Sequence, residues 1–462
     1  MQEAGVALMA KSDPWGNVLS YRPFIPDEKW RPFHPEKEKI TGWSARSLFI
    51  SQMFPNPIYD SGSFVLDQAR ALREAGVDAR AIAPYRFWIV RNLDLGFPAA
   101  LAFSPFTAAN YLRTFHDARW YDVGGVPAIH IPYPLLWSYW NHADFYRRPV
   151  LKAVRNIHGL FPFDIVHAHS TFHDGAAGAA IAGKFGVPLV ITEHLGEVDK
   201  LFSDDRFAGV IRSNIATASR VIAVSRAHRD KLAGFLDERD RAKLAVVPNC
   251  VDTSVFYPST GPAPDLAAPR FAFIGYFRAV KNLELLIGAF ASVLKSIPRA
   301  TLTMIGSGKP SDPSCEEGLK RMVGELGIGK AVRFLPVIPA NERMKMADTI
   351  RDECDIVVLT SRYESFGCVL MEALACGKQV VSTRCGGPED IIDGDAKGFL
   401  CENGSRDDLA EKLEMAASNL AGHDPKAAAA DASARFSSKR IGDMIHEIYK
   451  DALSVKIGGM GR

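Results

Sequence analysis

Short apolar runs alternate with amphipathic stretches along most of the chain. The first apolar run, 47–51, is followed by a loop and by a helical pattern over 63–75 that ends at Gly76. The run 79–83 then completes a strand–helix–strand unit. The same alternation predicts further strands at 165–168, 189–192, 221–224 and 245–247. Short apolar strands separated by helices are typical of a parallel sheet that is covered on both faces.

A segment of Ser, Thr, Gly, Pro and Ala at 259–264 divides this pattern into two series. The second series predicts strands at 270–274, 301–305, 332–335, 356–359, 379–382 and 398–400. We therefore predict an α/β protein with an N-terminal extension (1–44) and two tandem doubly wound domains (45–264 and 265–462), the second ending in a terminal helix. Ligands of such sheets bind beyond the carboxyl ends of the strands, so the cleft between two facing domains is the expected site.

Composition and charge narrow the class of protein. Hydrophobic residues make up 47% and charged residues 23% of the 462-residue chain, as in globular proteins. The formal net charge of +2 gives no global basic field, so nucleic acid is not an expected partner. The seven cysteines show neither C-x-x-C pairs nor zinc-finger spacing. No apolar run reaches the roughly 18 residues of a membrane span. We therefore expect a cytoplasmic protein with reduced thiols.

The segment 101–155 fits neither series of strands because aromatic and basic residues interleave along it. Its aromatic residues include Phe103, Phe106, Tyr111, Phe115, Trp120, Tyr133, Trp137, Tyr139, Trp140 and Phe145. Its cations include Arg113, Arg119, Arg147, Arg148, Lys152 and Arg155. One interpretation is an elaborated loop followed by a packed helix. The other is a platform for an acceptor molecule, or a patch that contacts the inner face of a membrane.

The segment 361–377 is the richest in candidate chemistry. It follows the predicted strand 356–359, and we expect a helix that starts near Ser365 or Phe366 and stops at Gly377. The free N–H groups and the positive dipole end of such a helix would bind a diphosphate. Glu364 would precede the helix and Glu372 would lie about two turns inside it. One carboxylate could then reach a sugar and the other a ribose diol. The alternative is an N-cap glutamate and a solvated helix glutamate.

Three motifs resemble those of a large family of retaining glycosyltransferases with the GT-B fold. Glu364 and Glu372 match its E-x7-E motif, residues 376–392 match its "acG-x-PVV-x-t-x-x-GG-x-x-E-I-I", and residues 247–256 match its "iPNGvD-x-x-x-F". Cys250 stands where the last motif usually has glycine. The family includes bacterial polysaccharide and lipid mannosyltransferases and sucrose-phosphate synthases, and the resemblance covers about residues 45 to 450. It implies two Rossmann-like domains, with the nucleotide-sugar donor on the second.

The resemblance also implies roles for the residues around the predicted helix start. Glu364 is expected to contact the donor hexose, and Glu372 the nucleotide ribose. The backbone N–H groups of Phe366 and Gly367 are expected to bind the sugar and the diphosphate. Together with Ser365 these two residues would form the positive end of the helix.

A further motif, at 273–282, resembles the family's phosphate-binding "vGR-l-x-x-x-KG". Lys281 matches the lysine of that motif, whereas Tyr276 stands where arginine is usual. Arg278, two residues later, could take the place of that arginine. Positive charge is needed here because negative charge grows on the leaving diphosphate as the glycosidic bond breaks. The alternative is that Arg278 and Lys281 are solvated surface cations.

Two candidate sites come from the first domain. The run 164–170 resembles the family's "D-v-v-H-x-H", which makes His169 the histidine near the donor sugar, where a neutral imidazole could bind a hydroxyl. A buried structural histidine is the alternative. Gly62 resembles the small residue that lets the diphosphate and sugar approach, although a plain turn would also suit glycine. Glu193 and His194 follow the strand 189–192 and are a further candidate pair.

The expected activity is transfer of a hexose, with retention, from a nucleotide sugar to a sugar or lipid-linked acceptor, in bacterial polysaccharide or glycolipid biosynthesis. The chain lacks a D-x-D motif in a strand-end loop, so neither a metal nor another cofactor is expected. Catalysis would rest on Glu364, Lys281 and His169, and the leaving phosphate would take the acceptor proton. One alternative is a nucleotide-sugar epimerase of the same fold. Another is a non-catalytic nucleotide-sugar-binding subunit, which the departures at Tyr276 and Cys250 leave open.

Overall fold

The computed structural model describes residues 11–12, 18–19, 31–33, 44–56, 63–88, 120–135, 142–259, 261–308, 314–339, 342–394 and 396–459. The chain forms two compact units. The first unit contains the described residues of 24–224, 229–247 and 441–459. The second unit contains those of 1–23, 225–228 and 248–440. This division of the chain differs from the predicted one at 264/265. The last helix was predicted to belong wholly to the second domain, whereas most of it belongs to the first unit.

Most of the strands lie where the apolar runs are. They are β1 (Lys11–Ser12), β2 (Val18–Leu19), β3 (Arg31–Pro32), β4 (Ala45–Ile50), β5 (Val77–Trp88), β6 (Tyr121–Val123), β7 (Val126–Leu135), β8 (Ile165–Ala168), β9 (Leu189–Glu193), β10 (Arg220–Ala223) and β11 (Leu244–Val246), followed by β12 (Arg270–Ile274), β13 (Thr301–Ile305), β14 (Val332–Leu335), β15 (Ile356–Leu359), β16 (Gln379–Thr383) and β17 (Gly398–Cys401).

The helices fill the intervals between strands. They are α1 (Ser63–Glu74), α2 (His142–Ile157), α3 (His173–Phe185), α4 (Val198–Phe202), α5 (Asp205–Thr217), α6 (Arg226–Ala233) and α7 (Glu238–Arg241), followed by α8 (Leu283–Ser296), α9 (Ser314–Glu325), α10 (Arg343–Glu353), α11 (Cys368–Ala375), α12 (Pro388–Ile391), α13 (Arg406–Asn419), α14 (Pro425–Phe436) and α15 (Ser438–Gly459). A 3-10 turn at Ala279–Lys281 precedes α8. Within the described ranges, no helix has both the length and the apolar character needed to cross a bilayer.

The first unit is built on a sheet with the strand order β11-β10-β9-β8-β4-β5-β7-β6-β3. The strands from β11 to β7 pair in parallel, and β6 and β3 are antiparallel additions at one edge. The α/β architecture is therefore confirmed, but part of 101–155 belongs to this sheet, because β6 and β7 extend it. Leu48, Phe49 and Ile50 of β4 are fully buried at its centre. Such apolar runs suit a strand that is covered on both faces.

The second unit contains a wholly parallel sheet with the order β14-β13-β12-β15-β16-β17. The predicted strands from 270 to 359 agree with β12 to β15 at both ends, and the last two strands are each one residue longer than predicted. The chain order reverses between β12 and β15. In open sheets of this kind, ligands bind in the crevice at that switch point, beyond the carboxyl ends of the strands.

The last helix, α15, joins the first unit from Ile441 onward. It buries Ile441, Ile445 and Tyr449 completely. Gly442 allows the close approach, because a Cβ atom at this position would lie 2.2 Å from the carbonyl oxygen of Ala71. The last helix thus takes part in the hydrophobic packing of the first unit.

Candidate active site

The loop between β15 and α11 is held by backbone hydrogen bonds to the loop after β16. The N–H of Glu364 donates to the carbonyl oxygen of Cys385 at 2.9 Å, and the N–H of Gly387 donates to the carbonyl oxygen of Glu364 at 2.9 Å. Gly387 must be glycine, since a Cβ atom there would lie 2.2 Å from the Cα atom of Phe366. Gly386 has φ 116°, and a Cβ atom there would lie 2.8 Å from the carbonyl oxygen of Glu364. The double glycine therefore fixes the backbone that carries Glu364.

Lys281 and Glu364 form an ion pair in this loop. The Nζ atom of Lys281 donates to Oε1 of Glu364, and the hydroxyl of Ser361 donates to the same oxygen at 2.7 Å. The hydroxyl of Thr360 donates to the carbonyl oxygen of Lys281 at 2.9 Å, which ties the 3-10 turn to the end of β15. Both charged side chains are largely buried. The structure therefore brings together the cation and the carboxylate that the sequence resemblance assigned to phosphate and hexose.

The helix after this loop begins later than predicted. Residues Ser365 and Phe366 precede α11, which starts at Cys368 after the N-cap Gly367. The cause is the left-handed conformation of Gly367, with φ 99° and ψ 51°, which a helix cannot contain. No side-chain hydrogen bond caps this N-terminus, where the positive end of the helix dipole lies. Phe366 is buried, and its ring packs edge-on against the ring of Phe436.

Glu372 is the fifth residue of α11 and therefore lies little more than one turn into it, not two as predicted. Its Oε1 atom is 4.0 Å from Nη2 of Arg343, and each side chain is only 16% exposed. The guanidinium group of Arg343 also lies 5.2 Å from the centre of the Phe256 ring. The interpretation of Glu372 as a solvated surface glutamate is therefore wrong. Sequence analysis missed Arg343, because it is far from Glu372 along the chain.

Arg278 is exposed, and its guanidinium carbon lies 5.4 Å above the ring of Tyr276. Tyr276 is itself 46% exposed. Tyr276, which departs from the family motif, is thus in contact with Arg278, its candidate replacement. The assignment of Arg278 to a phosphate group stays a prediction.

His169 follows β8 in the first unit and is fully buried. Its ring stacks on Phe49 at 4.7 Å, and its Nδ1 atom is 3.2 Å from Nε2 of His194. Burial, reinforced by the neighbouring His167 and His194, holds the pKa of His169 well below its usual value. The imidazole is therefore neutral near pH 7, as binding of a sugar hydroxyl requires. The Gly62 position lies outside the described residues.

Glu193 serves its own loop in the structure. Its carboxylate accepts hydrogen bonds from the N–H groups of Thr171 at 2.7 Å, His194 at 2.8 Å and Leu195 at 2.7 Å. Burial raises its pKa. These contacts shape the loop after β9, so the geometry supports a structural rather than a catalytic role for this carboxylate.

Asp174 is a buried acid that sequence analysis did not single out. It accepts hydrogen bonds from the hydroxyl of Tyr146 and, at 3.2 Å, from the N–H of Gln52. Burial raises the pKa of its carboxyl to about 7. The available signal was its position at the start of α3, shortly after β8, where charged side chains approach the carboxyl edge of the sheet.

Two family models match the chain. Residues 61–255 match the model described as Glycosyltransferase Family 4, and residues 263–432 match the model described as Glycosyl transferases group 1. These matches and the tandem α/β sheets identify the protein as a glycosyltransferase. The chain belongs to the family 4-like, group 1 glycosyltransferases.

Two curated relatives support this assignment along most of their length. The D-inositol 3-phosphate glycosyltransferase of Actinosynnema mirum is 34% identical over 292 residues, which are 56% of this chain and 68% of that protein. The protein of the same name from Saccharomonospora viridis is 30% identical over 317 residues, which are 63% of this chain and 71% of that protein.

Solved structures share the fold over nearly the whole chain. The sucrose-phosphate synthase of Thermosynechococcus elongatus has a TM-score of 0.69 at 18% identity and covers 89% of this chain and 100% of its own. Anabaena HepE, in complex with UDP-glucose, has a TM-score of 0.62 at 21% identity and covers 88% of this chain and 99% of its own. These similarities confirm the predicted GT-B fold.

Proposed function

We propose that the protein transfers a hexose from a nucleoside diphosphate sugar to an acceptor hydroxyl with retention of configuration. The observation that carries this proposal is the Lys281–Glu364 ion pair, which lies in the loop before the uncapped N-terminus of α11. A loop with one cation and one carboxylate beside the positive end of a helix suits a ligand that has both phosphate and hydroxyl groups.

Lys281 and the start of α11 would hold the diphosphate. An ammonium group has three N–H donors, of which Glu364 uses one, so two remain for phosphate oxygens. The helix N-terminus adds a partial positive charge that needs no reorganisation during the reaction. Arg278 would supply the second side-chain cation. Together these groups stabilise the charge that grows on the leaving diphosphate, and for this reason we propose that transfer needs no metal and no other cofactor.

The carboxylates would recognise the hydroxyl groups of the donor. Glu364 has a second oxygen that can accept hydrogen bonds from the hexose, while Oε1 stays on Lys281 and Ser361. Glu372 would accept from the ribose diol, with Arg343 holding its orientation. The complex of Anabaena HepE with UDP-glucose supports the choice of a uridine nucleotide as the first donor to test.

The remaining chemistry needs few protein groups. The leaving phosphate would take the proton of the acceptor hydroxyl, and the neutral imidazole of His169 would bind a hydroxyl of the transferred sugar. A sugar or a lipid-linked sugar is the proposed acceptor, and bacterial polysaccharide or glycolipid biosynthesis is the proposed setting. The name of the Actinosynnema mirum relative adds phosphorylated inositol to the acceptors worth testing.

A membrane contact would involve one face of α2. Arg148, Lys152 and Arg155 are exposed on this helix, and Leu160, which follows it, is 71% exposed. Trp120 and Tyr133 are buried in the core of the first unit and cannot insert into a headgroup layer. We therefore base the proposed contact with the cytoplasmic face of a membrane on cations and Leu160, and not on these two aromatic residues.

A thermal-shift panel of UDP-, GDP- and ADP-hexoses tests the donor site. A nucleotide sugar at a hundred times its Kd should stabilise the fold by about 2.7 kcal/mol. The donor that binds is then incubated with candidate acceptors in excess EDTA, and the anomeric configuration of the product is read by NMR. A product with inverted configuration, or activity that returns only with Mg²⁺, would overturn the mechanism. Epimerised donor formed without acceptor would favour an epimerase instead.

A further inference from the structure

A buried chain of hydrogen bonds connects the last helix to the histidine pair at the end of β8. The hydroxyl of Tyr449, on α15, lies 2.8 Å from Oγ of Ser47 and 2.8 Å from Nδ1 of His167. The other ring nitrogen of His167, Nε2, lies 2.7 Å from Oγ1 of Thr192. All four residues are completely buried. Both nitrogens of His167 are therefore occupied, and one of them depends on a residue 282 positions later in the chain.

The direction of these hydrogen bonds follows from the acidity of the groups. A phenol is a better donor than an aliphatic hydroxyl, and an imidazole nitrogen is a good acceptor. Tyr449 then donates to Nδ1 of His167 and accepts from Ser47. Because burial lowers the pKa of His167 to about 3, its ring stays neutral and carries a single proton, which this arrangement places on Nε2 facing Thr192.

The ring of His167 in turn forms part of the wall that holds His169. The two ring centres are 4.4 Å apart, and Phe49 contacts both rings, at 4.9 Å and 4.7 Å. The backbone N–H of His169 donates to the carbonyl oxygen of Ile50 at 3.1 Å. This hydrogen bond fixes the main chain of His169 but not its imidazole ring. The His169 ring is oriented by the contact of 3.2 Å between its Nδ1 atom and Nε2 of His194 and by the packing of Phe49 and His167, so a rotation of His167 would disturb it.

We propose that Tyr449 is a positioning residue for His169, acting through the tautomer and ring orientation of His167. This inference rests on the proposed function of His169 as the imidazole that binds the transferred sugar. The last helix of the chain thus takes part in the site of the first unit by orienting one side chain there. Tyr449 itself touches no reacting atom.

The test uses Tyr449→Phe in the full-length protein, because this change removes one hydroxyl and keeps the ring that packs on His167. Loss of one hydrogen bond that orients a reacting group should lower kcat about fivefold to tenfold, with the donor KM unchanged. The matched control is Ser44→Ala, which removes the contact of 2.9 Å between Ser44 and His446 on the same helix. This control should keep the kcat of the wild type.

Two comparisons separate positioning from a general loss of stability. In a His169→Ala background, Tyr449→Phe should cause no further fall in kcat. In protein labelled with ¹⁵N-histidine, Tyr449→Phe should shift the imidazole signals of both His167 and His169, whereas Ser44→Ala should leave them in place. Assignment of these signals comes from His167→Asn and His169→Ala spectra.

The outcomes distinguish this inference from the proposed function. An unchanged His169 signal in Tyr449→Phe, or an equal fall in kcat with and without His169, would overturn the positioning role. If His169→Ala alone transfers sugar as fast as the wild type, the proposed function of His169 is wrong. The labelled spectra then still decide whether Tyr449 orients that ring.

Discussion

Lys281 and Glu364 are 83 residues apart in sequence and meet at one oxygen atom. Sequence motifs identified both residues, because each stands in a short loop after an apolar strand. Ser361 and the double glycine hold Glu364 in its loop. These contacts give a physical reason for a motif that was recognised only by resemblance. The partner of Glu372 could not be predicted, since nothing in the spacing connects Arg343 with it.

The first prediction at this scale separates the two cations of the donor site. Lys281→Ala removes a largely buried ammonium group and should weaken donor binding by about 1.5–3 kcal/mol. Arg278→Ala should have a smaller effect, because the exposed guanidinium group is screened by water. Isothermal titration with the donor identified by the thermal-shift panel measures both. Equal losses would show that Arg278 binds phosphate as directly as Lys281.

A second prediction concerns the buried carboxyl of Asp174. Its pKa of about 7 in the fold lies above the ordinary value of 3.8, so the folded state holds a proton that the unfolded state releases. The stabilisation by this proton is fully present below about pH 4 and is lost as the pH rises through 7. Asp174→Asn cannot ionise, and its stability should fall less than that of the wild type between pH 4.5 and 7.5.

Denaturant unfolding at several pH values within that range checks the Asp174 prediction. The free energy of unfolding of the wild type, minus that of Asp174→Asn, should decrease steadily as the pH rises. Parallel curves for the two proteins would mean that Asp174 titrates in the fold as it does in water.

At the scale of elements, most strands could be predicted from the apolar runs. The misplaced start of α11 and the missed strand β7 have local causes. The run of β15 is buried and apolar over its whole length, and the runs of β12 and β13 are buried after their first residue, which is a strong signal for a parallel strand. The start of α11 was misplaced because a glycine at φ 99° interrupts an otherwise helical pattern. The dihedral angle of this glycine is set by packing in the folded molecule, so the sequence pattern does not show it.

The strand β7 was missed because prolines argue against an interior strand. Pro127, Pro132 and Pro134 all lie within it. Its neighbour β6 pairs only with residues 126–128, so within the described part of this sheet residues 129–135 have a strand on one side alone. Prolines are tolerated at such an edge, since no neighbour there requires their missing N–H groups.

The docking of α15 gives a prediction for this scale. Gly442→Ala would place a methyl group 2.2 Å from the carbonyl oxygen of Ala71, and the resulting overpacking should cost about 1–3 kcal/mol of stability. The matched control is Gly318→Ala in α9, where no atom lies within 4 Å of the added carbon. That change should stabilise the protein by about 0.5–1 kcal/mol, as in any exposed helix.

Thermal or denaturant unfolding of these two glycine variants provides the measurement. Opposite signs of the stability change are expected. A Gly442→Ala protein as stable as the wild type would show that the last helix does not press against α1 as closely as the structure has it.

For the whole molecule, the structure describes part of the aromatic and basic segment 101–155, for which the sequence left two interpretations open. The described part supplies a packed helix to the first unit, as one interpretation expected, and two strands where that interpretation had a loop. The helix also carries an exposed basic face. Seven of the ten aromatic residues named for this segment fall in 101–119 and 136–141, which lie outside the described residues. Composition alone could not show which cations face the solvent, because that depends on how α2 packs.

The basic face of α2 predicts weak binding to anionic membranes. Each cation near a charged surface contributes about 1 kcal/mol, so replacing Arg148, Lys152 and Arg155 by serine should reduce binding to anionic vesicles about a hundredfold. Co-sedimentation at low salt compares anionic with neutral vesicles. If the wild-type protein leaves anionic vesicles unbound, the membrane contact is ruled out and a soluble acceptor is favoured.

The central claim is that Glu364 belongs to the donor site of a glycosyltransferase. The most direct measurement is the turnover of Glu364→Ala with the identified donor and acceptor, beside Glu411→Ala, which removes a carboxylate that is 64% exposed on α13. We predict a loss of about a hundredfold or more for Glu364→Ala, since an interaction made at the reacting sugar disappears, and unchanged turnover for the control. A folded Glu364→Ala protein that turns over like the wild type would contradict the account.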